Sequence, residues 1–262
     1  MRRPLLFAFA FVLAVPLAVR ADDGQSLFNG KDLTGWKGHP DLWSVKDGAI
    51  TGYTKDGKLP GGANSFLVWD GTADNFELKA KFKIVGGNSG IQYRSKYFGK
   101  PDEFHIGGYQ ADIDGAKNDT YTGINYEERG RGIICNRGSK TFIDEDGTRY
   151  EQRLTEPADI LKATKSKDWN DYHIIASANH LKQVINGVTT AEFIDWQKDK
   201  RAMDGLIALQ MHAGMGEMTI QFKDITLKKL TDCKEVTKEA MPIPSEAKKV
   251  AGTGPQPKKE KK

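Results

Sequence analysis

Apolar and polar positions alternate strictly over 76–85. Phe76, Leu78, Ala80, Phe82 and Ile84 are separated by Glu77, Lys79, Lys81 and Lys83. A period of two over ten residues predicts a strand with one buried and one wet face. On a helix the same apolar side chains would be spread around the whole circumference. Segments 42–45 and 49–53 flank Asp47-Gly48, a dipeptide that accepts positive φ and predicts a hairpin turn. A strand over 65–69 ends at Asp70-Gly71, and 172–178, 181–185 and 188–193 predict a meander whose second turn is Asn186-Gly187. Segments 206–212 and 219–228 predict the closing strands. In the last one the apolar phase slips by one residue, which predicts a bulge between Phe222 and Ile225. Helix is predicted only as one turn over 157–161, opened by Pro157. So many strands with so little helix predict an all-β, single-domain sandwich of two antiparallel sheets, of jelly-roll type, and no repeat of 20–50 residues is visible.

The two ends read differently from this body. Residues 1–21 have Arg2 and Arg3 ahead of an uncharged apolar run over 5–19 and then Val19-Arg20-Ala21, the pattern of a secretory signal cleaved after Ala21. The run of about 15 residues is short for a bilayer, which needs roughly 20. The expected location is therefore secreted or periplasmic, with no transmembrane segment after cleavage. From 232 to 262 the chain is Lys, Glu, Pro, Ala and Gly with few large apolar residues. It predicts a disordered Lys-rich tail, either solvated or touching an anionic envelope surface. The domain is then 22–231. Export permits a disulfide between the only two cysteines, Cys135 and Cys233, which show no ligand or redox spacing.

Composition changes the picture in one respect. The 262 residues carry a formal charge of +4, with 28% charged and 38% hydrophobic positions. Residues 1–21 hold three Arg and no acid, and 234–262 hold eight Lys and four Glu, which leaves 22–233 at −3. A slightly acidic body offers no broad basic face, so a nucleic-acid partner is not expected.

Three predicted strands carry chemistry on the face opposite the core. In 88–95, Ile91 and Tyr93 take the core phase while Asn88, Gly90, Gln92 and Arg94 face away. In 108–114, Tyr109, Ala111 and Ile113 are core and Gln110, Asp112 and Asp114 face away. In 206–212, Ile207, Leu209 and Met211 are core and Gln210 and His212 face away. The pairs Gln92/Arg94, Gln110/Asp112 and Gln210/His212 differ from the Lys-rich wet face of 76–85. Amides, a guanidinium, a carboxylate and an imidazole suit a polyhydroxylated ligand in a concave groove. The long connection 115–140, with weak periodicity, adds Tyr121, Tyr126 and Glu127. Its Arg129 and Arg131 would either orient a ligand or pair with Glu127 and Glu128, and Ile133-Ile134 predicts a short strand at its end.

At these residues the chain resembles the 3-keto-disaccharide hydrolase domain family, whose activities are described as 3-keto-glucoside 1,2-lyase and 2-hydroxy-glucal hydratase. The resemblance rests on Ser26-Leu-Phe-Asn-Gly-Lys-Asp-Leu-Thr-Gly-Trp36, Asn88-Ser-Gly-Ile-Gln-Tyr-Arg94, Gly108-Tyr-Gln-Ala-Asp-Ile113, Thr122-Gly-Ile-Asn-Tyr-Glu-Glu-Arg-Gly-Arg-Gly132, Trp169-Asn-Asp-Tyr172, Asn186-Gly187 and Ile207-Ala-Leu-Gln-Met-His212. It implies a concanavalin-like jelly roll acting on a small carbohydrate. It also implies a chemistry that starts from a glycoside already oxidised at C3. The ketone acidifies the C2 proton, a base removes it, the C1 substituent leaves by elimination, and water adds to the glycal. A sugar 3-dehydrogenase is then an expected functional partner.

That chemistry needs a base near C2, a donor at the C3 oxygen and an acid near the leaving group. The assignment is His212 or Asp112 as base, Arg94 at the developing oxyanion and Glu127 as acid; an imidazole titrates near neutral pH. Asn88, Gln92, Gln110, Arg131 and Gln210 would hold hydroxyls and Tyr126 would stack on the sugar. No cofactor is required by this scheme. A divalent metal held by Asp112 and His212 with a loop carboxylate is the alternative electrophile. Two rivals remain. A direct jelly-roll glycoside hydrolase would carry Glu-x-Asp-x-x-Glu where this chain has Gln110-x-Asp112-x-Asp114. A non-catalytic carbohydrate-binding module would use Trp36, Trp43, Trp69, Trp169 or Trp196 as a platform, although several sit at core phase.

Overall fold

The strict alternation at Phe76–Val85 becomes a central strand in which Phe76, Leu78, Ala80, Phe82 and Ile84 are all buried. Full burial of the Phe, Leu and Ile side chains among them contributes about 1.5–3 kcal/mol each. In the computed structural model, which describes residues 24–115 and 121–251, this strand is the spine of the larger of two sheets. In spatial order that sheet runs Lys248–Val250, Arg149–Arg153, Ser139–Ile143, Val188–Asp195, His180–Ile185, Asn170–Ser177, Phe76–Val85, Met218–Lys229, Ala49–Thr54 and Trp43–Lys46. Gln25–Ser26 is also paired to Met218–Lys229. The smaller sheet runs Gly132–Cys135, Asn125–Glu128, Ile106–Asp114, Asn88–Tyr97, Gly205–Met211, Ser65–Ala73 and Trp36–Lys37. Neighbours are antiparallel apart from Ser139–Ile143, which lies parallel to Val188–Asp195.

The two sheets close over a core that takes Phe76, Phe82, Tyr172, Phe193 and Phe222 from one side. From the other it takes Ile91, Tyr93, Tyr109, Ile207 and Leu209. This is a concanavalin-like jelly-roll sandwich. Two of the predicted turns have the required backbone, Asp47 and Gly48 at φ 51° and 69° and Asn186 and Gly187 at φ 48° and 81°, whereas Asp70-Gly71 does not end its strand, which runs Ser65–Ala73. Two successive positive φ values match the right-handed twist of a tight hairpin. The predicted bulge is a register shift between Lys223 and Thr226, with Asp224 at φ 51°. The single α-helix among the described residues is Pro157–Ala163. Trp36, Trp43 and Trp196 are buried, so none of these serves as a sugar platform.

Three expectations are revised or fall outside view. The signal 1–21 lies outside the described residues, as do 116–120 and 252–262. The disordered tail does not begin at 232. Lys248–Val250 pairs with the Arg149–Arg153 strand, and Val236, Met241 and Ile243 pack on Phe142, Ile194 and Trp196. The Trp196 indole N–H and the Asn179 amide both donate to the Val236 carbonyl, at 2.7 and 3.1 Å. The segment is poor in apolar residues, but the few it has meet an apolar patch that its own composition does not reveal. Finally, Cys135 and Cys233 are free. Burial among carbonyls pushes the Cys135 thiol up to about 12, so it is inert.

Candidate active site

The outer face of the smaller sheet divides in two. At one end Phe66, Val68, Ile106 and Ala208 form an apolar layer, covered by Tyr97, Phe104 and Leu206. At the other end the polar pairs converge. Gln92 faces Gln110 across the strand pair, Gly90 faces Asp112, and Gln110 in turn faces Tyr126 on Asn125–Glu128. Gly90 is needed there, because a Cβ would lie 2.5 Å from the Gln110 Cγ. Its missing side chain lets Gln110 reach across the Asn88–Tyr97 strand. The Gln110 amide donates to Gln210 Oε1 at 3.2 Å and to Asp112 Oδ2 at 3.1 Å, and Gln110 Oε1 accepts from Gln92 at 2.9 Å. Gln92 then accepts from the Ser95 hydroxyl at 2.6 Å, and Gln210 donates towards Glu128 at 3.4 Å. A buried amide chain with each member partnered holds its end groups in fixed orientations.

Those end groups line a hollow of about 370 Å³ bounded by Asn64, Asn88, Gln110, Asp112, Tyr121, Tyr126, Glu128, His212 and Met215. Asn88, Gln110 and Asp112 are buried and make its floor. Asp112 accepts from the Asn88 amide at 2.8 Å and from Gln110. Burial raises its carboxyl to about 7, against the opposing pull of these two bonds and with help from the charges of Asp114 and Glu128. Burial also raises Glu128, partly offset by His212, Arg129 and bonds from Asn64 and Gln210. His212 Nδ1 lies 2.7 Å from the Ala213 carbonyl. A carbonyl only accepts, so Nδ1 carries the hydrogen and Nε2 of the neutral ring keeps a lone pair. Among the described residues no Lys or Arg lines the hollow. A hollow of about 430 Å³ on the outer face of the larger sheet is roomier. It is lined by Lys79, Lys81, Asp171 and His173 among others, around an exposed Lys81–Asp171 ion pair, and gathers no comparable set of buried acids and amides.

The sequence-predicted residues therefore separate. Asn88, Gln110, Asp112, Tyr126 and His212 line the hollow, and Gln92 and Gln210 support it from behind. Arg94, Glu127 and Arg131 lie elsewhere. Arg94 sits at φ 47° in a bulge between Tyr93 and Lys96. The extra residue reverses the side-chain phase, so Ser95 takes the outer face beside Gln92 and Arg94 turns away. Its guanidinium donates to the carbonyls of Asp74, Ala178 and Ala202 and to Asn75 Oδ1, where it pins three loops. Gly108 and Gly205 make room for this bulge, at φ 148° and 144° with Ser95 and Arg94 backbone atoms against them. Glu127 and Arg131 form a buried cluster with Asp195. Arg131 donates to Glu127 Oε2 and to Asp195 Oδ2, both at 2.7 Å, and the Tyr109 hydroxyl donates to the same Asp195 oxygen at 2.7 Å. The choice between ligand contact and pairing is thus settled for Arg131 as pairing with Glu127.

Glu128 is a carboxylate of the hollow that the sequence did not lead us to expect there. Once Tyr126 is placed on the outer face, strand alternation requires Glu128 there and Glu127 on the inner face. The signal was present but hidden by reading 115–140 as a loop. Asn64 carries no such signal. It lies at the start of a strand and is drawn in because its Oδ1 accepts the Ala213 N–H at 3.0 Å. Among the described residues no three of His, Cys, Asp and Glu stand as a metal-binding group. No step is assigned to a metal.

A model of the 3-keto-alpha-glucoside-1,2-lyase-like domain matches residues 23–228, most of the chain. A 3-keto-disaccharide hydrolase of Bacteroides thetaiotaomicron is 34% identical over 87 residues, a match that spans 30% of this chain and 30% of that protein. Two solved structures of proteins from Parabacteroides distasonis, each described as a glycosyl hydrolase, share the fold. One is 21% identical with a TM-score of 0.51, over 80% of this chain and 95% of the other. The second is 19% identical with a TM-score of 0.50, over 76% and 96%.

Proposed function

The chain belongs to the family of 3-keto-alpha-glucoside-1,2-lyase-like domains, and from that premise we propose that it is an exported carbohydrate-active enzyme that cleaves 3-keto-glycosides by elimination and rehydration. The observation that carries this reading is the convergence of three proton-transfer groups, Asp112, Glu128 and His212, in one sugar-sized hollow floored by amides.

The steps follow from the geometry of those groups. His212 Nε2, left basic by the Nδ1 bond to Ala213, takes the C2 proton of the 3-keto sugar. The C2–H electron pair forms the C2=C3 bond of an enolate and charge develops on the C3 oxygen. With Arg94 removed from the site, that oxygen meets neutral donors instead. A carboxyl raised to about 7 is still protonated in a large fraction at neutral pH, so Asp112 donates a hydrogen bond beside the Asn88 amide. The enolate then collapses, the C1–O bond breaks, and Glu128, whose carboxyl is raised by burial, delivers a proton to the leaving oxygen. Water adds to C1 of the resulting 2-hydroxy-3-keto-glycal, its proton returning to Glu128, while His212 returns a proton to C2. The net change is hydrolysis. Tyr126 offers a ring face for the sugar. Something must install the C3 ketone, so a sugar 3-dehydrogenase acts upstream, and the signal at 1–21 sends the enzyme to the periplasm or beyond.

The test is direct. The mature protein is incubated with glucosides and with their 3-keto derivatives. Release of the leaving group from the 3-keto compounds alone, with a transient absorbing glycal, is the expected result. Turnover of unoxidised glucosides would replace this reading with direct hydrolysis, and binding without turnover of either would leave a binding module.

A further inference from the structure

The floor and the mouth of the hollow differ in kind. The floor is polar and its groups are largely committed to one another: both Asp112 oxygens accept amide hydrogens, and Gln110 uses its oxygen and its amide nitrogen on neighbours. The mouth is made of Tyr121 and Met215, which are 41% and 39% exposed. These are two of the few large apolar side chains left open to water among the described residues, and both stand at this one opening.

Met215 is held there by its backbone. Gly214 and Gly216 on either side are both at φ 76°, and the Gly214 N–H donates to the Gly57 carbonyl at 2.8 Å. Gly57 has no room for a Cβ, which would lie 2.6 Å from the Gly216 nitrogen. The loop is therefore closely seated on its neighbour while its central side chain projects over the opening. A thioether opposite a phenol makes a soft, polarizable gap that accepts flat rings of varied outline.

We propose that this mouth is a subsite for an aromatic aglycone, so that the favoured leaving group is a phenolic alcohol rather than a second sugar. The inference deepens the function proposed above and rests on it. Among the described residues the other polar groups of the lining are partly committed, Asn64 Oδ1 to the Ala213 N–H and His212 Nδ1 to the Ala213 carbonyl, so a second sugar would bring several hydroxyls to few free partners, and hydroxyls stripped of water without partners oppose binding. A phenyl ring has no such cost and gains contact with both Tyr121 and Met215. The Asp112 and Glu128 carboxyls in the lining also disfavour anionic aglycones.

Equilibrium titration of the full chain with methyl and phenyl glucosides of both anomers, and with glucose disaccharides, tests this without requiring turnover. Wild type binds the phenyl glucoside of the accepted anomer about tenfold more tightly than the methyl glucoside. The ratio falls to about twofold or less in Met215→Ala combined with Tyr121→Ala, two exposed positions whose truncation leaves the core intact. Equal affinity for methyl and phenyl compounds, a ratio unmoved by the substitutions, or tighter binding of a disaccharide than of the phenyl glucoside would each overturn the subsite. The 3-keto forms of the same compounds then separate the two ideas. A phenyl preference in binding with no turnover of any 3-keto compound sinks the lyase reading and leaves the aglycone subsite standing.

Discussion

Replacing Asp112 by Asn should make the protein more stable at alkaline pH, and the pH at which it does so follows from the site. The carboxyl is 5% exposed and its ordinary value of 3.8 is raised to about 7, with burial the leading cause. A carboxyl raised on folding binds its proton more tightly in the folded state. Its stabilising contribution is fully present below the unfolded value near 4, and it is lost as pH rises through about 7. Between those limits the wild type loses about 4 kcal/mol through this one group, taking 1.36 kcal/mol for each tenfold change in proton affinity. An asparagine has no proton to lose and keeps the shape, so the penalty vanishes while the Asn88 and Gln110 contacts rearrange around a neutral amide. The expected gain is about 2–4 kcal/mol at pH 8, shrinking towards zero at pH 4. The assay is urea unfolding of both proteins from pH 4 to 8, followed by the fluorescence of the buried tryptophans. Glu128 is raised in the same direction, but it is common to both proteins and largely drops out of the difference. Parallel stability curves for wild type and variant across that range would show that Asp112 is not strained by its burial, and the donor role assigned to it would go with them.

The same position separates a donor from a base in turnover. Asp112→Asn retains a neutral N–H and should lose no more than about tenfold in kcat, whereas Asp112→Ala should lose about 100-fold or more, and equal losses would make Asp112 the base instead. His212→Ala should cost about 100-fold or more in kcat on 3-keto substrates, read against unchanged circular dichroism. Adjacent glutamates should part company. Glu128→Gln lowers kcat about 100-fold. Glu127→Gln chiefly lowers stability, by about 3 kcal/mol in urea, because it uncouples a buried cluster with Arg131 and Asp195. A chain ending at Thr231 should melt at lower temperature and bind an apolar dye, since Phe142, Ile194 and Trp196 lose the cover of Val236, Met241 and Ile243.

What the sequence by itself determined is whatever depends on nearest neighbours along the chain. Phe76–Val85 alternates because a pleated strand has a period of two, Asp47-Gly48 and Asn186-Gly187 turn because their backbones accept positive φ, and the phase slip after Phe222 marks its bulge unaided. The same period placed Asn88, Gln110, Asp112 and Gln210 on one face, and would have placed Glu128 with Tyr126 had 125–128 been read as a strand. The tertiary structure alone decided the rest. Arg94 follows the outer-face phase in sequence, yet a left-handed residue stabilised by the room beside Gly108 and Gly205 turns it away, and those glycines come from other strands. Glu127 and Arg131 meet Asp195 across 64 residues or more, and the segment from 232 to 251 is ordered by a patch built from Phe142, Ile194 and Trp196. Each of these outcomes turns on a partner distant in the chain, and local periodicity contains no information about what will lie opposite once the sheets close.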